Sequence, residues 1–397
     1  MKILFSVLLL ILANSVLISQ NKNDDELYKK AVELAHKFMI IDTHVDVPYR
    51  LQKEWEDISQ RTSGGHFDYE RAKFGGLDVP FMSIYIPAEY EEKGGAKKLA
   101  DSLIDIVENF QTKFPQKFAV AVSTDDVQTQ FKKGLISLPM GMENGSAIEG
   151  DLKNLQHFYN RGIRYITLTH SKNNHICDSS YDKTKKWKGL SPFGEKVVAE
   201  MNRLGIMVDI SHVSDDTFYD VLKITKTPVI ASHSSCRHFT PGFERNMSDK
   251  MIKALAKNGG VIQINFGSGF LLEEYRSKMK IAKDYLDSKN IKGSSPEGEK
   301  YYAKYKKEKK VNLGTAKDIA DHIEHVVKLV GIDHVGIGSD YDGIDDLPKG
   351  AEDVSAYPNI IYELLKLGYP DEDIQKICSG NILRVWKQIE EFAADLK

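Results

Sequence analysis

Seven residues of the kinds that bind metals or move protons follow short apolar runs in this chain: His44, Asp46, Glu143, His170, His212, His233 and Asp340. The first pair sets the pattern. Phe38-Met39-Ile40-Ile41-Asp42-Thr43-His44-Val45-Asp46 opens as an apolar run suited to a strand buried on both faces and ends in a histidine and an aspartate two apart. Side chains alternate along a strand, so the two point the same way. An imidazole nitrogen and a carboxylate converging at the mouth of a buried strand suit a divalent transition metal such as zinc. Glu143 then follows residues 135–142, and His170 follows 164–169. His212 follows 206–211, His233 follows 228–232 and Asp340 follows 334–339.

Five of these side chains make a ligand set: His44, Asp46, Glu143, His212 and His233. Five are too many for one open tetrahedral zinc site. They suit two ions if one carboxylate bridges. Glu143 is the expected bridge, sharing one ion with His44 and Asp46 and the other with His212 and His233. A hydroxide between ions about 4 Å apart is a nucleophile available at neutral pH, because metal binding lowers the pKa of water. Asp340, outside that set, can move a proton from water to a leaving amine. His170 can hydrogen-bond the oxyanion of a tetrahedral intermediate. Arg245 can clamp a substrate carboxylate with two prongs, although its spacing alone reads as a surface cation near a helix cap. Each residue also has an ordinary explanation: His212 as a helix start, His233 packed under a serine turn, Glu143 as a cap at Asn144-Gly145. Their common position, ending six of eight inferred strands, is hard to explain as capping.

The elements that must position them alternate. Strands are expected at 38–46, 79–86, 135–142, 164–169, 206–211, 228–232, 261–266 and 334–339, the third weakened by Pro139. Helical stretches lie between them. Ser191 and Pro192 open one whose apolar stripe is Val197, Val198, Met201 and Leu204, and Thr315 caps another carrying Ile319, Ile323, Val326 and Val330. Eight strand–helix units imply a parallel sheet closed as a (β/α)8 TIM barrel, whose active site lies at the C-terminal ends of the strands. Residues 267–312, rich in Lys and Tyr, form a long insertion between strands 7 and 8, read as a solvated helical excursion in preference to a substrate lid.

With 397 residues, 41% hydrophobic and 28% charged, the chain can bury one sizeable domain, placed at 26–397. A formal net charge of −3 argues against a nucleic-acid partner or an anionic membrane held by bulk charge. Lys2 and the apolar run 3–18 read as a secretory signal peptide, residues 1–20, so the protein is expected to be exported, periplasmic or secreted, with no integral span after its removal. Cys177, Cys236 and Cys378 form no disulfide framework and no zinc-finger pattern, so metal must be held by His and carboxylates.

Taken together, Ile41-Asp42-Thr43-His44-Val45-Asp46-Val47-Pro48, Gly141-Met142-Glu143-Asn144-Gly145, Thr167-Leu168-Thr169-His170-Ser171, Asp209-Ile210-Ser211-His212, Ala231-Ser232-His233-Ser234-Ser235, Arg245-Asn246 and Gly338-Ser339-Asp340-Tyr341-Asp342-Gly343 resemble the membrane (renal) dipeptidase family, in the same order over nearly the whole mature chain. The resemblance implies a binuclear zinc dipeptidase, often a homodimer, holding two Zn²⁺ per chain on the five ligands above with Glu143 bridging. It implies that His170 and Arg245 contact a small dipeptide and that Asp340 transfers protons, and it extends the substrates to a D-residue at the second position. A related hydrolase of N-acyl amino acids or small lactams or lactones would use the same metals. A binding protein with a spent site would lack a ligand or Asp340, and none is lacking. The segment Lys172-Asn173-Asn174-His175-Ile176-Cys177, the insertion, and Phe270 where some members carry tyrosine depart from the family pattern and bear on side-chain preference.

Overall fold

The computed structural model describes residues 24–396, and its strands are β1 (Ile40–Val45), β2 (Leu77–Tyr85), β3 (Phe118–Val120), β4 (Ile136–Leu138), β5 (Met140–Glu143), β6 (Ile163–Thr167), β7 (Met207–Asp209), β8 (Ile230–Ser234), β9 (Val261–Ile264) and β10 (Val335–Ile337). Eight of them close into a barrel in the order β1-β10-β9-β8-β7-β6-β5-β2, every pair parallel. Each is buried along its length apart from the half-buried Tyr85, which is why these segments read as apolar runs and not as alternating ones. The (β/α)8 barrel expected from the alternation is the observed fold.

The strands after β5 are short, and the polar residues beyond them sit in the turns at one rim. The helices that follow β6, β7 and β8 all begin at a serine. Ser191, Ser214 and Ser248 each accept a hydrogen bond from the amide three residues on, from Gly194, Thr217 and Met251. At the opposite end, the helix Asn381–Asp395 puts Val385, Trp386 and Ile389 into one buried cluster with Met39, Val79, Met207 and Val261 from the beginnings of the strands. The barrel is therefore plugged at its N-terminal end and opens where the polar residues gather.

Three details differ from the sequence expectations. The run 135–142 is broken at Pro139 into β4 and β5. Proline offers no amide to a ladder, and its carbonyl instead accepts from Met82 N at 2.8 Å. β4 pairs with β3, a three-residue strand that periodicity does not reveal, as a small separate sheet. Asp46 is not on the strand with His44: β1 ends at Val45, and Asp46 is the residue that turns the chain into the helix Val47–Lys53, with Pro48 in its first turn. The insertion is helical, Ser268–Leu271, Glu273–Ser288 and Pro296–Glu308. It is largely exposed, but Lys306 and Tyr275 bond Asp346 and so tie it to the loop after β10. All three cysteines are buried and unpaired. Among the described residues, no helix is long and apolar enough to cross a membrane, and the signal-peptide segment lies outside them.

Candidate active site

Glu143 ends β5 with its two carboxylate oxygens pointing to different neighbours. Oε2 lies 3.5 Å from His44 Nε2, which is 3.3 Å from Asp46 Oδ2. Oε1 lies 3.0 Å from His212 Nε2 and 3.3 Å from His233 Nε2, and those two ring nitrogens are 2.9 Å apart. Around a tetrahedral cation with bonds of about 2.1 Å, neighbouring ligand atoms sit about 3.4 Å apart. The observed separations are close to that spacing, and His44, Glu143 and His233 form one candidate metal-holding group among several at this rim. The five side chains nominated from the sequence meet there, and all are buried.

The ring nitrogens are oriented from behind. The Tyr165 hydroxyl donates to Thr43 O at 3.0 Å, so at 2.8 Å from His44 Nδ1 it must accept, placing the proton on Nδ1 and leaving Nε2 bare. The Ser232 hydroxyl donates to Asp209 Oδ2 at 2.6 Å and therefore accepts from His233 Nδ1 at 2.8 Å, with the same result. Asp209 is in turn held by the backbone amides of Ser211 and Ser232 and by the Thr167 hydroxyl. His44 Nε2 and Asp46 Oδ1 are buried without any hydrogen-bond partner, a costly arrangement unless a cation sits between them. Gly343 adds to the fit: a side chain there would fill the gap between the Asp46 and Asp340 carboxylates. Gly141 answers a different need, because a Cβ at that position would overlap the Tyr165 ring.

The electrostatics separate the groups by task. Burial and the nearby Arg245 guanidinium push His212 and His233 well below the usual imidazole range, which keeps them neutral and ready to ligate. Burial works against charge on Glu143, but the surrounding histidines hold its carboxyl well below the usual range. Burial also opposes charge on His44, yet Tyr165, Asp46 and Glu143 raise it well above, so a proton or a cation is favoured at Nε2. Asp340 goes the other way from Glu143: burial, Asp46 and Glu143 raise it well above the carboxylate range. The two carboxyls of this one site are thus shifted in opposite directions. The backbone is strained at the same rim, with φ of 69° at His212 and 67° at Asp340, both in the left-handed region that side chains rarely occupy.

His170 lies three residues past β6, its Nε2 3.7 Å from Glu143 Oε1 and its ring edge-on to Tyr85 at 4.9 Å. Arg245 is 3% exposed and is no surface cation: Nη1 donates to Ser234 Oγ at 2.6 Å and Nη2 to His233 O at 2.7 Å. A cavity of about 600 Å³ opens above the carboxylates, lined among others by Tyr49, Tyr85, His170, Tyr181, Phe270 and Asp340.

A family model described as membrane dipeptidase (peptidase family M19) matches residues 28–397. The chain belongs to the membrane dipeptidase family. Its members are metallo-dipeptidases, hydrolases acting on peptide bonds. An uncharacterized dipeptidase of Schizosaccharomyces pombe is 33% identical over 383 residues, 92% of this chain and 83% of that one. Dipeptidase 3 of Mus musculus is 30% identical over 378 residues, 93% of this chain and 68% of the mouse protein. The crystal structure of the probable dipeptidase PvdM from Pseudomonas aeruginosa superposes with a TM-score of 0.82 at 26% identity, covering 93% of this chain and 100% of that one.

Sequence reasoning missed the supporting groups of this dipeptidase. Asp209 carried a signal, a carboxylate flanked by Val208 and Ile210 in a buried run. Asn265 follows β9 as the nominated residues follow their strands, but it is an amide and was passed over. Its Nδ2 donates to Asp340 Oδ2 at 2.8 Å. Tyr165 and Ser232 have side chains common in any strand and carried no signal. With Tyr85 and Asn265 counted, all eight barrel strands reach the site.

Proposed function

We propose that this dipeptidase hydrolyses dipeptides, including those with a D-residue at the second position, with two zinc ions. His44 and Asp46 would hold one and His212 and His233 the other, with Glu143 shared between them. The observation that carries the reading is the divergence of the Glu143 oxygens, Oε2 toward His44 and Asp46 and Oε1 toward His212 and His233. When bound, the ions supply an acidified water and polarise the scissile carbonyl. The remaining work falls to this chain. Arg245 meets the substrate carboxylate and sets the register of the peptide over the site. His170, at the cavity wall, offers a donor to the oxyanion as the carbonyl carbon becomes tetrahedral. Asp340, held by Asn265, takes a proton from the attacking water onto its carboxylate and returns it to the departing amine, so that one C–N bond is exchanged for a carboxylate and a free amine.

Free amino acids should appear from a panel of L,L- and L,D-dipeptides, disappear after chelation and return with Zn²⁺. Turnover of N-acyl amino acids or lactams with none of any dipeptide would replace this reading by the alternative. Residues 1–20 are read as a signal peptide preceding a catalytic domain at 26–397, so the exported protein should begin shortly after residue 20 by intact mass. The dimer implied by the family resemblance should be visible by light scattering.

A further inference from the structure

Three residues outside the catalytic rim also gather metal-ligating atoms. His238 lies in the helical turn Arg237–Phe239 that follows β8, Asp249 opens the helix Asp249–Lys257, and His325 stands on the helix Ala316–Val330. Each offers one ligand atom, and the three atoms lie within 4.8 Å of one another. His325 Nε2 is 2.9 Å from Asp249 Oδ1. The His238 and His325 rings stack at 4.3 Å with 19° between their planes. His238 is exposed and the other two are half-buried. Two imidazoles and a carboxylate are a donor set for zinc, with water completing the shell of an open site.

A surface ion pair accounts for His325 and Asp249 but not for the second imidazole brought to the same carboxylate. Among the described residues, no lysine or arginine pairs with Asp249, and the nearby Arg237 is spent on both oxygens of Asp215, at 2.8 and 2.6 Å. The turn that carries His238 is seated by groups that take no part in the cluster. His322, one helical turn before His325, is buried, and burial pushes its pKa down to about 3. As a neutral ring it accepts from Cys236 N at 3.0 Å through Nδ1 and donates to Leu271 O at 3.2 Å through Nε2. Phe239 packs on His322 at 4.3 Å and edge-on to His325 at 5.5 Å. These contacts bring the ligands together in advance and reduce the ordering that an ion would have to impose. The same turn starts the segment 236–247 that carries Arg245, whose ends are joined by Arg237 N to Met247 O at 2.8 Å.

We propose that His238, Asp249 and His325 form a separate zinc site that pins the segment carrying Arg245 to the helices Asp249–Lys257 and Ala316–Val330. The site does not depend on what the enzyme hydrolyses. It is open to solvent and has three protein ligands, so its ion exchanges with the buffer and is counted only with free Zn²⁺ present. The test is calorimetric titration of Zn²⁺ into the full chain, its catalytic site already loaded and excess metal removed. The proteins compared are wild type, His238→Ala, Asp249→Asn and, as a control, His36→Ala, an exposed histidine outside every such cluster. Wild type and His36→Ala should take up one further ion, and the other two variants none. An ion that binds the native state alone stabilises it, so free Zn²⁺ at about 100 times its dissociation constant should raise the melting temperature of wild type and His36→Ala only. No further ion in wild type, or one retained by both His238→Ala and Asp249→Asn, would overturn the site. A wild-type melting temperature unmoved by the added ion would overturn the pinning.

Discussion

Replacing Tyr165 by Phe tests whether the site is set from behind. The change deletes one oxygen and keeps the ring that packs on Phe81 at 5.6 Å and lies against Gly141. It leaves Thr43 O and His44 Nδ1 without their partner where the surroundings are fully buried. An unsatisfied buried group costs about 1–3 kcal/mol, so the metal-free protein should lose at least that much stability. The consequence for the site is larger in kind. With no acceptor at Nδ1, the His44 proton is free to move to Nε2, the atom that faces Asp46 and Glu143. Loss of such an orienting partner typically weakens metal binding or activity about 10- to 100-fold. The assay is chelator competition followed by elemental analysis, with kcat/KM measured as metal is returned. Tyr165→Phe should need about 10- to 100-fold more free metal to reach half activity. A variant that holds metal and turns over like wild type would refute the claim that Tyr165 fixes the His44 tautomer.

Other substitutions probe separate parts of the account. Asp340→Asn keeps a partner for Asn265 but carries no proton, so kcat should fall about 10²- to 10⁴-fold with metal content retained, and an unchanged kcat would exclude Asp340 from proton transfer. Gly141→Ala forces a methyl into the Tyr165 ring and should cost about 1–3 kcal/mol by urea titration; wild-type stability would mean the barrel relaxes freely there. Asp78, at the start of β2, is pushed by burial from 3.8 up to about 7 although Ile40 N donates to it. Between those pH values the native state binds a proton that the unfolded chain does not, so this group lowers stability as pH rises from about 4 to about 7 and its penalty is complete above that. Asp78→Asn should therefore be about 1–3 kcal/mol more stable than wild type at pH 8 and nearly equal at pH 4 in denaturant titrations. A variant less stable than wild type at pH 8 would contradict that sign.

The barrel was legible because its strands are buried on both faces, which writes them as apolar runs, and because function places polar side chains where those runs stop. That pattern led directly to His44, Asp46, Glu143, His170, His212, His233 and Asp340. It misjudged how Asp46 arrives, since alternation along a strand and a turn into a helix both bring a carboxylate beside His44, and only coordinates separate them. Arg245 was illegible from spacing: its burial depends on Ser234 and His233, which are distant enough in sequence to leave no periodic trace. Three-residue β3 is too short to carry a period, and Pro139 hid β4 inside a longer apolar run. The orienting groups were hidden for another reason. Tyr165, Ser232 and Asn265 act through a single hydroxyl or amide inside the barrel, and their identities differ little from those of ordinary core residues.

The most direct measurement is the number of metal ions on the purified protein, counted by elemental analysis against protein concentration, for wild type and Glu143→Gln. The account predicts two zinc ions per active chain, and loss of both metal and dipeptide hydrolysis when the shared carboxylate becomes an amide. Full activity with no metal, or a Glu143→Gln variant that keeps two ions and its turnover, would contradict it.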